Sequence, residues 1–231
     1  MVRLLSHTIL STLFYRKIMN KVLFISGIDT DAGKSYCTAW LANKLMDEGK
    51  SVITQKFIQT GCTDQSEDII LHRTLTRQPL LPEDIDGTTA PLIYSHPCSP
   101  QLAARIDHRE IPLEVIDQST KTLSERYDYV LVEGAGGLMV PVTDTFFTID
   151  YIASRKLPLV LVVHGGLGSI NHIVLSLEAI AHRGVELHTV LYNTYFDSDP
   201  LIAEDTRAFI SRYLAREFPT TQIFDVPRIS I

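Results

Sequence analysis

Val22-Leu23-Phe24-Ile25-Ser26 runs straight into Gly27-Ile28-Asp29-Thr30-Asp31-Ala32-Gly33-Lys34-Ser35, and this order decides the fold. The continuous apolar run reads as a strand buried on both faces, and the stretch after Ser35 reads as a helix. A strand, a glycine-bounded loop ending in Gly-Lys-Ser, and a helix make a phosphate-binding loop. Backbone N–H groups at a helix N-terminus supply the donors a phosphate needs, and glycine lets them approach closely. Lys34 adds a point charge for the terminal phosphates, and Ser35 a hydroxyl for Mg²⁺. The general spacing G-x-x-x-x-G-K-[ST] would begin at Ile28, so Gly27 opens this loop one residue early. Asp29, Thr30 and Asp31 then lie inside the loop. An acidic pair beside an anion site is poorly explained by packing; a metal, or a second substrate carrying amines, explains it better. The expected ligand is a nucleoside triphosphate.

Outward from the loop, apolar runs recur at 51–58, 129–132, 159–163, 187–191 and 223–226, with helical stretches at 35–48, 112–126, 170–182 and 201–217 between them. Near-continuous apolar strands alternating with helices predict a doubly wound α/β fold, a mostly parallel sheet with helices on both faces. Ligands in such folds bind at the C-terminal ends of the strands. Residues 61–100 are rich in Pro, Thr and Asp and read as loops, with one short helix at 68–75.

Four further groups fall at those strand ends. Glu133-Gly134-Ala135-Gly136-Gly137 follows the run at 129–132: a carboxylate suited to a metal, then backbone suited to an oxyanion. Three glycines after a strand also mark an ordinary tight turn. Lys56 stands near the end of the second run, where a lysine is either solvated or aimed at the ligand. Asp68 opens the short helix, as a favourable charge at a helix N-terminus or as a second carboxylate for Mg²⁺. Gly165-Gly166-Leu167-Gly168-Ser169-Ile170-Asn171-His172 leads into a helix and reads as a second anion site, suited to a carboxylate. His164 and His172 have no companions at metal-ligand spacing.

The 231 residues, 45% hydrophobic and 21% charged, are those of a globular protein with a sizeable core. A formal charge of −6 with no basic run argues against nucleic acid as the main partner. Three cysteines, Cys37, Cys62 and Cys98, form no C-x-x-C pair or ligand cluster, which points to a reducing, cytoplasmic location. Residues 1–18 hold an apolar-leaning stretch, broken by Ser6, His7, Thr8, Ser11 and Thr12, without a small-residue cleavage site. The stretch also falls short of the roughly 20 apolar residues of a membrane span. The expectation is a non-native or disordered extension over 1–18, begun anew at Met19, and a single α/β domain over 19–231.

With these residues placed, the chain resembles the dethiobiotin synthetase family over about 21–227. The loop from Gly27 to Ser35, extra residue included, is similar to the family's phosphate loop. Glu133-Gly134-Ala135-Gly136-Gly137 resembles its second signature, and Pro97-Cys98-Ser99-Pro100 and Leu167-Gly168-Ser169-Ile170-Asn171-His172 two further segments. The resemblance implies a P-loop NTPase-like fold, a homodimer with the substrate site at its interface, and ATP-dependent, Mg²⁺-dependent ring closure in biotin biosynthesis. In that reaction 7,8-diaminopelargonate, CO₂ and ATP give dethiobiotin, ADP and phosphate through a carbamate and a carbamic-phosphoric anhydride.

By position, the resemblance makes Ser35, Asp68 and Glu133 the Mg²⁺ ligands. Gly27, Asp29 to Ser35, Glu133 to Gly137, Asn193 and Pro227 would hold the nucleotide, Asn193 at the adenine. Lys34, Lys56 and Thr30 would be catalytic; Thr30, Lys56 and Thr60 would surround the diamine and carbamate. Gly168, Ser169, Ile170 and Asn171, from the second subunit, would hold the substrate's distal carboxylate. Departures from the family pattern are Asp31 for glutamate, Phe57 for proline, Thr60 for serine and Gln101 for histidine.

Three other classes fit these residues less well. A partitioning-type switch ATPase carries a lysine early in the loop, where this chain has Asp29. An amidotransferase-type synthetase needs a glutaminase half with a nucleophilic cysteine, which this chain lacks. A regulatory relative without turnover would be expected to lose a lysine or carboxylate, yet Lys34, Lys56, Asp68 and Glu133 all remain.

Overall fold

The computed structural model of the chain describes residues 22–228. The expected extension over 1–18 lies outside them. All six apolar runs form strands of one sheet: β1 Val22–Gly27, β2 Val52–Lys56, β5 Tyr129–Gly137, β6 Leu159–His164, β7 Leu187–Asn193 and β8 Gln222–Val226. Their order is β2-β5-β1-β6-β7-β8, and every neighbouring pair is parallel. Two short strands, β3 Gln59–Thr60 and β4 Ile93–Tyr94, form a separate parallel pair.

The main helices are α1 Lys34–Asp47, α2 Glu67–Leu75, α5 Leu113–Arg126, α6 Thr148–Arg155, α7 Ser169–Arg183 and α8 Pro200–Glu217, with α3 Pro82–Ile85 and α4 Pro100–Ile106 shorter. The crossover from β1 to β2 runs one way across the sheet, and the later crossovers run the other way. Right-handed connections therefore put α1 on one face and α5 to α8 on the other. Contacts agree with this: Trp40 of α1 lies 6.5 Å from Phe224 of β8. Across the opposite face, Tyr151 of α6 donates to Asp117 of α5 at 2.8 Å, and Tyr213 of α8 to Glu178 of α7.

Three expectations need correction. The run at 51–58 is strand only to Lys56. Phe57 N–H still donates to Glu133 O at 2.8 Å, but the chain then turns out of the sheet, and Gln59 N–H pairs with Leu92 O at 2.9 Å. Phe57 stays buried where the chain leaves the sheet, its ring 5.3 Å from Phe24 and 4.6 Å from Tyr151. Second, the strand expected over 129–132 runs on through Glu133 to Gly137, which are the last residues of β5 rather than a segment following it. Ile25 pairs with Glu133 while Gly27 pairs with Gly137, so β5 bulges against β1. A Cβ on Gly134 would sit 3.0 Å from the Phe24 ring, which is why side chains are absent there. Third, 61–100 is less irregular than expected: besides α2 it carries α3 and β4, and α4 starts at Pro100.

Helix α2 is pinned at both ends. Ser66 caps it, accepting from Ile69 N–H at 3.2 Å while its own hydroxyl donates to Gln59 Oε1 at 2.5 Å. Near the other end Arg73 is buried, donating to both oxygens of Asp84 at 2.8 Å and to Thr54 Oγ1 of β2 at 2.9 Å. Burial raises the Asp84 carboxyl pKa. The Arg73 hydrogen bond and the Leu81 N–H outweigh that and leave it below its ordinary value. Stability from this pair is thus present above the unfolded carboxylate's pKa of about 4 and lost as pH falls through the lower folded value. Asp84→Asn strands the buried guanidinium and should cost about 3 kcal/mol at pH 7. Thermal melts of wild type and variant should converge as pH falls below the ordinary carboxylate value of about 4 and through the lower folded one.

Candidate active site

A cleft of about 830 Å³ opens at the C-terminal ends of β1, β2, β5 and β7. Thr30, Asp31, Gly33, Lys34 and Ser35 line it from the loop and α1, Lys56 and Thr60 from the second strand and beyond. Asp68, Glu133, Ala135, Gly136, Asn193 and Pro227, also expected from sequence, line it too. Gly27, Asp29, Ala32, Gly134 and Gly137, expected there as well, do not line the cleft. Gly168, Ser169, Ile170 and Asn171 do not line it either; Gly168 and Asn171 are exposed, and Ser169 is buried.

The loop has the geometry that phosphate requires. Gly33 takes φ 83°, ψ 34° at the N-cap of α1, a left-handed conformation that side chains disfavour. A Cβ there would also meet Asn193 Nδ2 at 2.2 Å. The first turn of α1 leaves N–H groups without partners inside the helix, facing an anion. Lys34 folds back over the loop and donates to Asp29 O at 3.0 Å and Thr30 O at 2.9 Å. Burial lowers its pKa; Glu133 opposes this and Lys56 adds to it.

Across from Lys34, parallel register sets Lys56 of β2 directly beside Glu133 of β5. The Lys56 ammonium lies 2.5 Å from Asp68 Oδ2 and 3.0 Å from Glu133 Oε1, and donates to Gly134 O at 3.2 Å. Ser35 Oγ lies 3.0 Å from both Asp68 Oδ1 and Glu133 Oε1. Glu133 is 1% exposed. Burial alone would raise its carboxyl pKa, but Lys56 and then His72 hold it well below the usual range. Burial lowers the Lys56 pKa, and Glu133 and Asp68 more than restore it.

Whether a magnesium ion fits these residues is a question of donor chemistry. A hydroxyl and two carboxylates from α1, α2 and β5 converge, all hard oxygen donors, and few enough to leave positions for water and phosphate. No group of three or more His, Cys, Asp or Glu able to hold a metal occurs among the described residues. The Ser35 hydroxyl with the Asp68 and Glu133 carboxylates is a partial donor set that suits Mg²⁺ arriving with a nucleotide.

Asn193 contributes in a way the sequence did not indicate. Its Nδ2 donates to Ala32 O at 3.1 Å, and its Oδ1 accepts from Tyr195 N–H at 3.1 Å, tying β7 to the phosphate loop. One N–H and one lone pair are left for a ligand. Sequence reading missed several residues here. Gln59, Tyr195 and Arg228 line the cleft, with the Arg228 guanidinium 5.0 Å from the Tyr195 ring centre. His72 is buried behind Glu133, and its spacing of four from Asp68 was the available signal, since i and i+4 share a helix face. His164 stacks on Phe196 at 4.6 Å and accepts from Gly166 N–H at 3.1 Å, a local structural role.

Fold and site together define an α/β protein of the P-loop type. A family model described as an AAA domain matches residues 21–227. ATP-dependent dethiobiotin synthetase BioD 2 of Pasteurella multocida is 48% identical over 90% of this chain and 97% of its own length. The protein of the same name from Haemophilus influenzae is 50% identical over 82% of this chain and 100% of its own length. The chain belongs to the dethiobiotin synthetase family. Two solved structures share the fold alone. The signal recognition particle receptor FtsY from Elizabethkingia anophelis in complex with GDP has TM-score 0.54 and 14% identity, covering 90% of this chain and 57% of that one. FlhF complexed with GMPPNP/Mg²⁺ has TM-score 0.51 and 16% identity, covering 91% and 67%.

Lys34→Ala removes the buried ammonium over the loop. It should cost about 3 kcal/mol of transition-state stabilisation in phosphoryl transfer, the order lost with one electrostatic donor. A turnover assay should therefore read a fall of about 100-fold or more, with the thermal midpoint little changed.

Proposed function

We propose that this chain closes the ureido ring of dethiobiotin from 7,8-diaminopelargonate, CO₂ and Mg-ATP, releasing ADP and phosphate. The observation that carries this reading is the convergence of Lys34, Lys56, Ser35, Asp68 and Glu133 in the lining of one cleft, in a chain 48% identical to a named ATP-dependent dethiobiotin synthetase.

In this reading one amine of the substrate takes up CO₂ as a carbamate. A carbamate oxygen attacks the γ-phosphorus, and ADP leaves. The second amine then attacks the carbonyl carbon of the mixed anhydride and expels phosphate, closing the ring. Each step moves negative charge among oxygens, and fixed cations stabilise such charge better than mobile water does. Lys34, held over the loop, faces the terminal phosphates. Lys56 sits where carbamate and γ-phosphate would meet. Thr30 and Thr60 line the same space and offer hydroxyls to the carbamate and amines. Ser35, Asp68 and Glu133 would hold Mg²⁺, which when bound screens the phosphate charge. Gly33 and its neighbours would cradle the phosphates, while Asn193 and Pro227, farther along the cleft, would meet the adenine.

The segment Gly168–Asn171 is assigned to the distal carboxylate of a substrate bound in a second copy of the chain. Supporting this, it opens α7 yet does not line its own cleft, and the adjoining Leu167 is 89% exposed. A homodimer completes the site in this reading. No helix of the described residues is long and apolar enough to cross a membrane, and the reading places the enzyme in the cytoplasm as one synthetase domain.

Phosphate release with Mg-ATP and bicarbonate should depend on added 7,8-diaminopelargonate, with dethiobiotin detected by mass spectrometry. Diamine-independent hydrolysis would point instead to a switch ATPase. Asn171→Asp, which puts negative charge beside the proposed carboxylate site, should weaken diamine binding about tenfold or more, roughly 1.4 kcal/mol. ATP affinity by calorimetry should stay unchanged; equal loss of both would remove the segment from the substrate site.

A further inference from the structure

His72 is fully buried on α2, and its imidazole Nε2 lies 2.8 Å from Glu133 Oε2. An ionised carboxylate oxygen can only accept, so Nε2 carries the proton and donates. Nδ1 has no hydrogen-bond partner among the described residues. A leucine would fill this volume without desolvating two ring nitrogens, so packing alone does not account for an imidazole here.

Glu133 uses its two oxygens differently. Oε1 lies 3.0 Å from both Ser35 Oγ and Lys56 Nζ on the cleft side. Oε2 faces the buried ring. The last torsion of a glutamate is broad and nearly two-fold, so a carboxylate plane without a partner behind it turns easily. A hydrogen bond on one oxygen removes that freedom and fixes where the other points.

We infer that His72 is a positioning residue for the divalent cation: by donating to Glu133 Oε2 it commits that oxygen and presents Oε1 to the ion beside Ser35 and Asp68. The inference rests on reading Ser35, Asp68 and Glu133 as the cation's ligands. It makes α2 the organising element of the site. Asp68 and His72, four residues apart, lie on one face of the helix; the first supplies a ligand, and the second sets another ligand supplied by β5. The helix is braced for this at Ser66–Gln59 and at Arg73–Thr54. Outer partners of this kind typically change metal affinity by about 10- to 100-fold.

The test is Mn²⁺ binding by the full chain with a non-hydrolysable ATP analogue, followed by electron paramagnetic resonance. His72→Leu should raise the Mn²⁺ Kd about 10- to 100-fold. His72→Gln, which keeps an N–H within reach of Glu133, should return it to within a few-fold of wild type. An unchanged Kd in His72→Leu, or equal loss in the Leu and Gln variants, overturns the inference. Should His72→Leu not fold, His72→Gln is compared with His72→Asn, whose amide falls short of Glu133. A tenfold separation in Kd supports the inference, and equal values overturn it. Failed turnover beside normal wild-type Mn²⁺ binding would sink the synthetase reading and leave this one standing. A wild type that binds no Mn²⁺ would remove the cation site and this inference together.

Discussion

Everything at the cleft depends on one buried ion cluster, the carboxylate of Glu133 held between the Lys56 ammonium on one side and His72 on the other. A charge this deeply buried is costly alone and tolerable only when paired and hydrogen-bonded. The cluster therefore locks together parts of the chain that are far apart in sequence. Strands β2 and β5 must keep their register, and α2 must stay docked, or a charge is left without a partner. Ser35 and Asp68 join the same group at 3.0 Å, so α1 enters the constraint too.

The backbone around this cluster is shaped to let phosphate and carboxylate come close. Gly33 starts α1 in a left-handed conformation against Asn193, and Gly134 brings β5 against Phe24. Phe24, Phe57 and Tyr151 form a buried aromatic cluster, with the Phe24 ring against Gly134. Phe57, a departure from the family pattern, belongs to that aromatic cluster and is fully buried. The chain leaves the sheet just after Lys56, so the lysine stands at a strand end and lines the cleft.

Much of this was legible in the residues. The loop and its flanking strand and helix, all six sheet strands and the short helix carrying Asp68 follow from apolar periodicity and glycine placement. Those patterns reflect local chemistry: burial on both faces, φ restrictions and helix capping. What misled was equally physical. The strand is expected to stop at Val132 because the apolar run stops there and glycines follow, yet a neighbouring strand can pair with glycine where the backbones approach closely. Residues 82–106 hid two short helices, each too short to show a period.

By itself the sequence determined the fold class, the phosphate loop and the family, because each rests on contiguous residues whose spacing is chemistry in its own right. Only the tertiary structure decided that Lys56 faces Glu133, that Asn193 braces the loop with its own amide, and that His72 stands behind the carboxylate. Those contacts join residues 61 to 161 positions apart. Strand register and helix docking create them, and no local pattern records which side chains long-range packing will bring face to face.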